Sequence, residues 1–353
     1  MATLYLHIGM HKTGSTAIQR AIRENSARLR GCGFETLPTF GANQSDVAAA
    51  LKGAHRAIKR RPEQRQSREA YFTQETIRHY LEEFCSYSPG KNVVISGESF
   101  CTLDRPEVEF LKSLAERHFD DARIIAFVRP PVSRAISSGS QRIKGGQTFD
   151  YLVKRPSLGA YRRRFGHYVD VFGDACSFHL YHRPALRDGD VVKHFGDLIG
   201  LPFDLTVEKD VNVSLSREGG IVLSLANGLR ETFDGEAAAR LARLVPFVKP
   251  DWPLTDEEYR RIRGAAYELP GRPFAIPAEA LEQVIEGSRE DSEWVSALMG
   301  LDLAAYDRIP ETSPTLAELT DVEEPEVARI AEHMARHRKR RRGRPRTGDG
   351  TGG

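Results

Sequence analysis

Lys12, Gly14, Ser15 and Thr16 stand together in the stretch IGMHKTGSTAIQ, residues 8–19. A lysine, a glycine and two hydroxyls in one short turn are the ingredients of an anion site. The pattern nearly matches the phosphate-binding loop G-x-x-x-x-G-K-[ST]. Gly9 and Gly14 have its spacing and Thr16 falls at the hydroxyl position, but Ser15 occupies the lysine's place and Lys12 comes before the second glycine. If a strand ends near Ile8 and a helix begins at Ser15 or Thr16, the first N–H groups of that helix and its positive dipole end favour an oxyanion. A plain capped turn also favours Gly and Ser/Thr, yet a lysine inside it has no capping role. A nucleoside triphosphate wants its lysine after the second glycine and an Asp at a strand end to organise Mg²⁺. Here VVISG leads to Glu98 and IIAFV leads to Arg129. The expectation is a phosphate-like group handled without a metal.

A second constellation lies in RIIAFVRPPVSRAISSGS. Arg129 emerges directly from an apolar run, two prolines follow, and Ser137 falls about two turns into the next helix. An arginine with a hydroxyl suits a second phosphate. Glu98, just past another apolar run, is the candidate general base. His11 sits inside the first loop as a second candidate for the chemistry, whereas His7 lies within a strand and reads as structural.

These residues need elements to position them. Four β-branched and aromatic runs read as buried strands: 3–8, 92–97, 123–128 and 176–182, with 32–37 a weaker fifth. None shows strict alternation, as befits strands covered on both faces. Helical periodicity appears between them over Thr16–Arg30, Glu75–Phe84 and Pro106–Phe119. Strands alternating with helices imply a three-layer, P-loop-like α/β fold around a central parallel sheet, with ligands at the carboxyl ends of the strands. From about residue 217 the strand signal is lost and helices follow. The expected organisation is an α/β core over 1–216, a helical extension packed on it over 217–335 and a disordered basic tail over 336–353.

Bulk properties narrow the class further. The tail holds eight of the 51 Lys/Arg and one of the 49 Asp/Glu, so the rest of the chain carries roughly −5. Cys32, Cys85, Cys101 and Cys176 show no CxxC or Cys/His spacing, which argues against a disulfide framework or zinc site and fits a reducing compartment. MATLYLHIG is too short for a signal peptide, and no window reaches the ~18 apolar residues of a membrane span. The expectation is a cytoplasmic protein.

Taken together, HKTGST resembles the loop that binds the 5′-phosphosulfate in sulfotransferases using 3′-phosphoadenosine 5′-phosphosulfate (PAPS), and VRPPVSRAIS resembles their 3′-phosphate element. The run 158–201 and NVSLS (212–216) are also similar to bacterial members of that family, so the resemblance spans 3–216 in patches. It implies a PAPS-binding transferase that moves a sulfuryl group to a hydroxyl or amine of a glycan, glycolipid or small metabolite. Backbone amides of Thr13, Gly14, Ser15 and Thr16 would hold the 5′-phosphate, Lys12 the bridging oxygen, and Arg129 with Ser137 the 3′-phosphate. Glu98 or a histidine would be the base. The Arg-Lys-Gly element of many cytosolic members is missing; Arg217 and Lys209 are weak substitutes. A nucleotide kinase or other NTP-using transferase, and a non-catalytic nucleotide or polyanion binder, are the other readings. The charged segment 55–84 fits a gate over an acidic or carbohydrate acceptor as well as a solvated helical insertion. YRRRFGHY (161–168) reads as a helix packed through Tyr161, Phe165 and Tyr168. RRRGRPR in the tail resembles an AT-hook core, and its expected nucleic-acid binding is weak and non-specific.

Overall fold

The computed structural model describes all residues except 38–44, 54–73, 208–214, 251–252 and 343–353, with backbone alone at 45–46 and 337–342. Most of the charged segment 55–84, Lys209, the start of NVSLS and the end of the basic tail lie outside the described residues. The last helix, Glu324–Arg342, runs into the stretch for which composition implied disorder.

Five strands form one parallel sheet: β1 (Thr3–His7), β2 (Phe34–Thr36), β3 (Asn92–Ser96), β4 (Asp121–Val128) and β5 (Cys176–Leu180). Their order is β2-β3-β1-β4-β5. Leu6 of β1 pairs with Ile95 of β3 and Ile124 of β4, so β1 is central and all five of its residues are buried. The three inner strands, β3, β1 and β4, split their side chains between two cores. Leu4, Leu6, Val93, Ile95, Ile124 and Ala126 face one cluster with Leu111, Phe165 and Tyr168. Tyr5, Val94, Ile125 and Phe127 face the other with Ile18, Ile22 and Phe195. Helices cover both faces, which is why both alternating positions are apolar and no alternation shows in the sequence. The fold is α/β with a central parallel sheet, as its sequence implies.

The chain leaves β1 towards β2 and leaves β4 towards β5, on opposite sides. The crevice of such a sheet lies outside the carboxyl ends of those two neighbouring strands, where the Lys12 loop and Arg129 begin. The single helix expected over Thr16–Arg30 is two, Ser15–Glu24 and Ser26–Gly31. Asn25 interrupts it: its Nδ2 donates to Ala21 O (2.8 Å) and to Thr206 O (2.7 Å), a partner far along the chain.

The described residues form two compact units, one of 1–130, 159–209 and 288–306, the other of 131–158, 210–287 and 307–353. The first holds the sheet. The second is helical with its own core, and it includes 131–158, which the sequence reading grouped with the α/β part. The reason is apolar: Val132, Ala135, Ile143, Phe149 and Leu152 bury among Ile221, Leu241, Ile262 and Leu281. Among the described residues, no helix is long and apolar enough to cross a membrane.

His7 is structural, as its strand position implied. It is fully buried, its Nδ1 lies 2.7 Å from Ser96 Oγ, and its ring packs against Phe127 and Phe195. Burial pulls its pKa down to about 3. Folded His7 is therefore neutral, while the unfolded chain takes up a proton below about pH 6.5. Its contribution to stability is complete above that pH and declines towards pH 3, at about 1.4 kcal/mol per pH unit. Urea unfolding followed between about pH 6 and pH 4 should show a shallower loss in His7→Gln than in wild type. Equal slopes would contradict the assignment.

Candidate functional site

The loop after β1 is built from three residues with left-handed backbone: Gly9 (φ 48°), Lys12 (φ 72°) and Gly14 (φ 78°). Two are glycine for reasons beyond φ. A Cβ on Gly9 would lie 2.8 Å from Glu98 Cα and 3.1 Å from Gly97 O, so glycine lets the loop pass against the end of β3. A Cβ on Gly14 would lie 2.6 Å from Val191 Cγ1 and 3.3 Å from Tyr181 Cε2. Lys12 carries a side chain in the left-handed region, a conformation that is costly outside glycine and tends to persist at functional sites.

Gly14 also caps the helix Ser15–Glu24, and it offers no side chain to the first turn, which contains no acid. The N–H groups of Ala17 and Ile18 bond Gly14 O, whereas those of Ser15 and Thr16 precede the first intrahelical bonds. They and the dipole's positive end are disposed to favour an anion. The hydroxyls divide their roles. Thr13 Oγ1 and Ser15 Oγ are buried and donate to Met10 O at 2.6 and 3.3 Å, bracing the loop from inside. Thr16 is exposed.

Arg129 leaves the carboxyl end of β4 and reaches the same loop. Its Nη1 donates to Lys12 O at 2.8 Å, its guanidinium lies over the Tyr181 ring at 5.5 Å, and its own carbonyl accepts from Tyr161 Oη at 2.6 Å. Burial lowers its pKa, and Tyr181 offsets part of that shift. The sequence reading assigned Arg129 to a second phosphate; in the structure this residue holds the loop at its strained point.

Glu98 opens a short 3₁₀ turn, Glu98–Thr102, after β3. His11 Nδ1 lies 2.9 Å from Glu98 Oε1, with the histidine side chain 52% and the glutamate 30% exposed. Glu98, expected as the base, and His11, read as part of the anion loop, thus form one pair. The turn beneath them is fixed: Tyr168 Oη donates to Phe100 O (2.9 Å), Cys101 Sγ to Glu98 O (3.2 Å) and Lys52 Nζ to Thr102 O. Gly97 N donates to His7 O, tying the turn to β1.

Lys12, Thr13, Gly14, Ser15, Thr16, His11, Glu98 and Arg129 all belong to the first unit and share the carboxyl edge of the sheet. Ser137 lies half-buried on the helix Pro131–Lys144 of the second unit. Its neighbour Arg134 is buried and donates to Ser157 O and Leu158 O. Arg217 begins the helix Arg217–Glu231, where its N–H bonds Arg272 O. Tyr161, Phe165 and Tyr168 are fully buried, in keeping with the packed helix face expected of YRRRFGHY. The sequence reading missed Tyr181. Its one signal was position, immediately beyond a strand's carboxyl end.

The loop's dependence on glycine can be measured against a control. Gly14→Ala adds a 2.6 Å contact to left-handed strain, whereas Gly33→Ala meets φ 83° with nothing within 4 Å of the new Cβ. Gly33→Ala should cost about 1–2 kcal/mol, and Gly14→Ala at least about 1 kcal/mol more. Equal losses in chemical denaturation would show that the loop yields without resistance.

No family model and no curated protein matches the chain. Among solved structures, it is similar to the crystal structure of a sulfotransferase from Alicyclobacillus acidocaldarius. That similarity covers 68% of this chain and 94% of the other, at 17% identity and a TM-score of 0.37. The site's own geometry therefore carries the functional reading.

Proposed function

We propose that this chain is a PAPS-dependent sulfotransferase, transferring the sulfuryl group to a hydroxyl or amine of a glycan, glycolipid or small metabolite by in-line displacement. The observation that carries this reading is the loop 9–14. It brings a helix N-terminus without a side-chain cap, Lys12 and the His11–Glu98 pair to the carboxyl end of one central strand. One side of that arrangement suits an anionic leaving group and the other suits removal of a proton, as group transfer between two oxygens requires.

The residues fit the donor. The glycine cap leaves the first turn of the helix without a competing side chain, so the amides around Gly14 would hold the 5′-phosphate. Arg129 would meet the 3′-phosphate, as the resemblance implies, while bracing Lys12. PAPS supplies an activated sulfuryl group on a phosphate leaving group. Lys12 offsets the negative charge that grows there as the bond breaks. His11 Nδ1 donates to Glu98 Oε1 and fixes the carboxylate's orientation. Oε2, which has no hydrogen-bond partner among the described residues, accepts the acceptor's proton.

Calorimetry with 3′-phosphoadenosine 5′-phosphate (PAP) against Mg-ATP tests the reading. Wild type should bind PAP and not Mg-ATP; the reverse would overturn the proposal in favour of an NTP-using transferase. Glu98→Gln should keep PAP affinity and lose turnover by about 10²–10⁴-fold. Turnover at the wild-type rate in that variant would remove Glu98 from the mechanism. Lys12→Ala should lower kcat by about 10²–10³-fold, with a smaller change in PAP binding.

A further inference from the structure

YRRRFGHY contributes more than packing. Tyr161, Phe165 and Tyr168 anchor the helix Tyr161–Phe172 in the core beneath the sheet, and that anchoring carries Arg164 to the turn that bears Glu98. Arg164 Nη1 lies 3.3 Å from Cys101 Sγ, and Cys101 in turn bonds Glu98 O at 3.2 Å. Arg164 is half-buried, and its Nε is out of solvent with no acceptor. Among the described residues no carboxylate pairs with it, and its one contact is to a thiol. Burial raises the pKa of that thiol, so Cys101 stays neutral and cannot balance the charge. Arg20, Arg105 and Arg117 of the first unit pair with Glu24, Glu109 and Glu82, and Arg78, whose Nε is likewise buried without an acceptor, lies over the Phe110 ring at 4.8 Å.

A half-buried guanidinium without an anion is unfavourable, and it persists where a ligand supplies the missing charge. In the proposed reading the donor's phosphates have their own receptors, on the loop after β1 and at Arg129 beyond β4. Arg164 lies instead at the turn after β3, on Cys101, whose thiol bonds the backbone carbonyl of Glu98, the proposed base. We infer that Arg164 is an acceptor-side anion receptor, and that the acceptor is a sugar bearing a carboxylate, a uronic-acid glycan. The planar guanidinium matches a carboxylate better than a point charge would. A uronic acid places a carboxylate and hydroxyls on one rigid ring, so one group can face Arg164 while another faces Glu98. This inference rests on the sulfotransferase reading and deepens it.

The test is calorimetry of a glucuronic-acid oligosaccharide and of its carboxyl-reduced counterpart, each titrated with and without PAP. Wild type should prefer the acidic sugar by about tenfold or more. Arg164→Gln should abolish that preference with PAP affinity unchanged, Arg164→Lys should restore part of it, and Arg162→Gln on the same helix should retain it. Thermal melts of the four proteins establish that each is folded; if Arg164→Gln is not, the Arg164→Lys titration decides, and an undiminished preference there overturns the inference. Equal binding of both sugars by wild type, binding of neither, or a preference that survives Arg164→Gln also overturns it. Failure of the underlying reading looks different: wild type would not bind PAP, whatever it did with the sugars.

Discussion

The bond from Arg129 Nη1 to Lys12 O joins the ends of the two central strands on which the site depends. A carbonyl in a left-handed turn is not satisfied by regular secondary structure, and a buried acceptor left without a donor costs roughly 1–3 kcal/mol. Arg129 supplies the donor, and Tyr161 holds Arg129's own backbone in turn. The consequence runs outward. With Lys12 fixed, the chain passes Gly9 against Glu98 on one side and enters the helix at Gly14 on the other. The anion surface and the His11–Glu98 pair are thus two results of one loop conformation.

Much of this was legible in the sequence because it depends on local chemistry. The apolar runs marked the strands to within a residue or two, and glycine spacing with an internal lysine marked the loop. What stayed hidden required knowledge of which strands are neighbours. Asn25 ends a helix because Thr206 O waits for its amide, and no helical periodicity registers that. Arg129 braces Lys12 because β4 lies beside β1, so a residue read as a ligand receptor is also a part of the loop. The helix after β4 was grouped with the sheet by proximity in sequence, yet Val132 and Ile143 bury in the helical unit. His11 was read with the anion loop and Glu98 as the base, because nothing in their separate stretches shows that they touch.

The two units handle buried charge in opposite ways. In the helical unit Glu218 is wholly buried, and Arg272 and Arg329 both bond its carboxylate. Burial alone would raise its pKa, but those bonds bring the net shift downward. Gly271 has no room for a Cβ, which would fall 1.7 Å from Glu218 Oε2. Such a closed network specifies one packing and leaves nothing for a ligand. Around Glu98 the carboxylate has a single, half-exposed histidine, and Arg164 has a thiol. The contrast separates charge that fixes a fold from charge left available to the proposed site.

The left-handed backbone at Lys12 has a consequence for anyone evolving this protein. Glycine accepts that conformation without strain and asparagine with little, so pressure for heat resistance alone pushes position 12 away from lysine. A lineage selected only for robustness would grow sturdier while discarding the charge on which the proposed transfer depends. Under that proposal the strained lysine marks a conflict between durability and turnover confined to one residue, and it is the position to hold constant in any library.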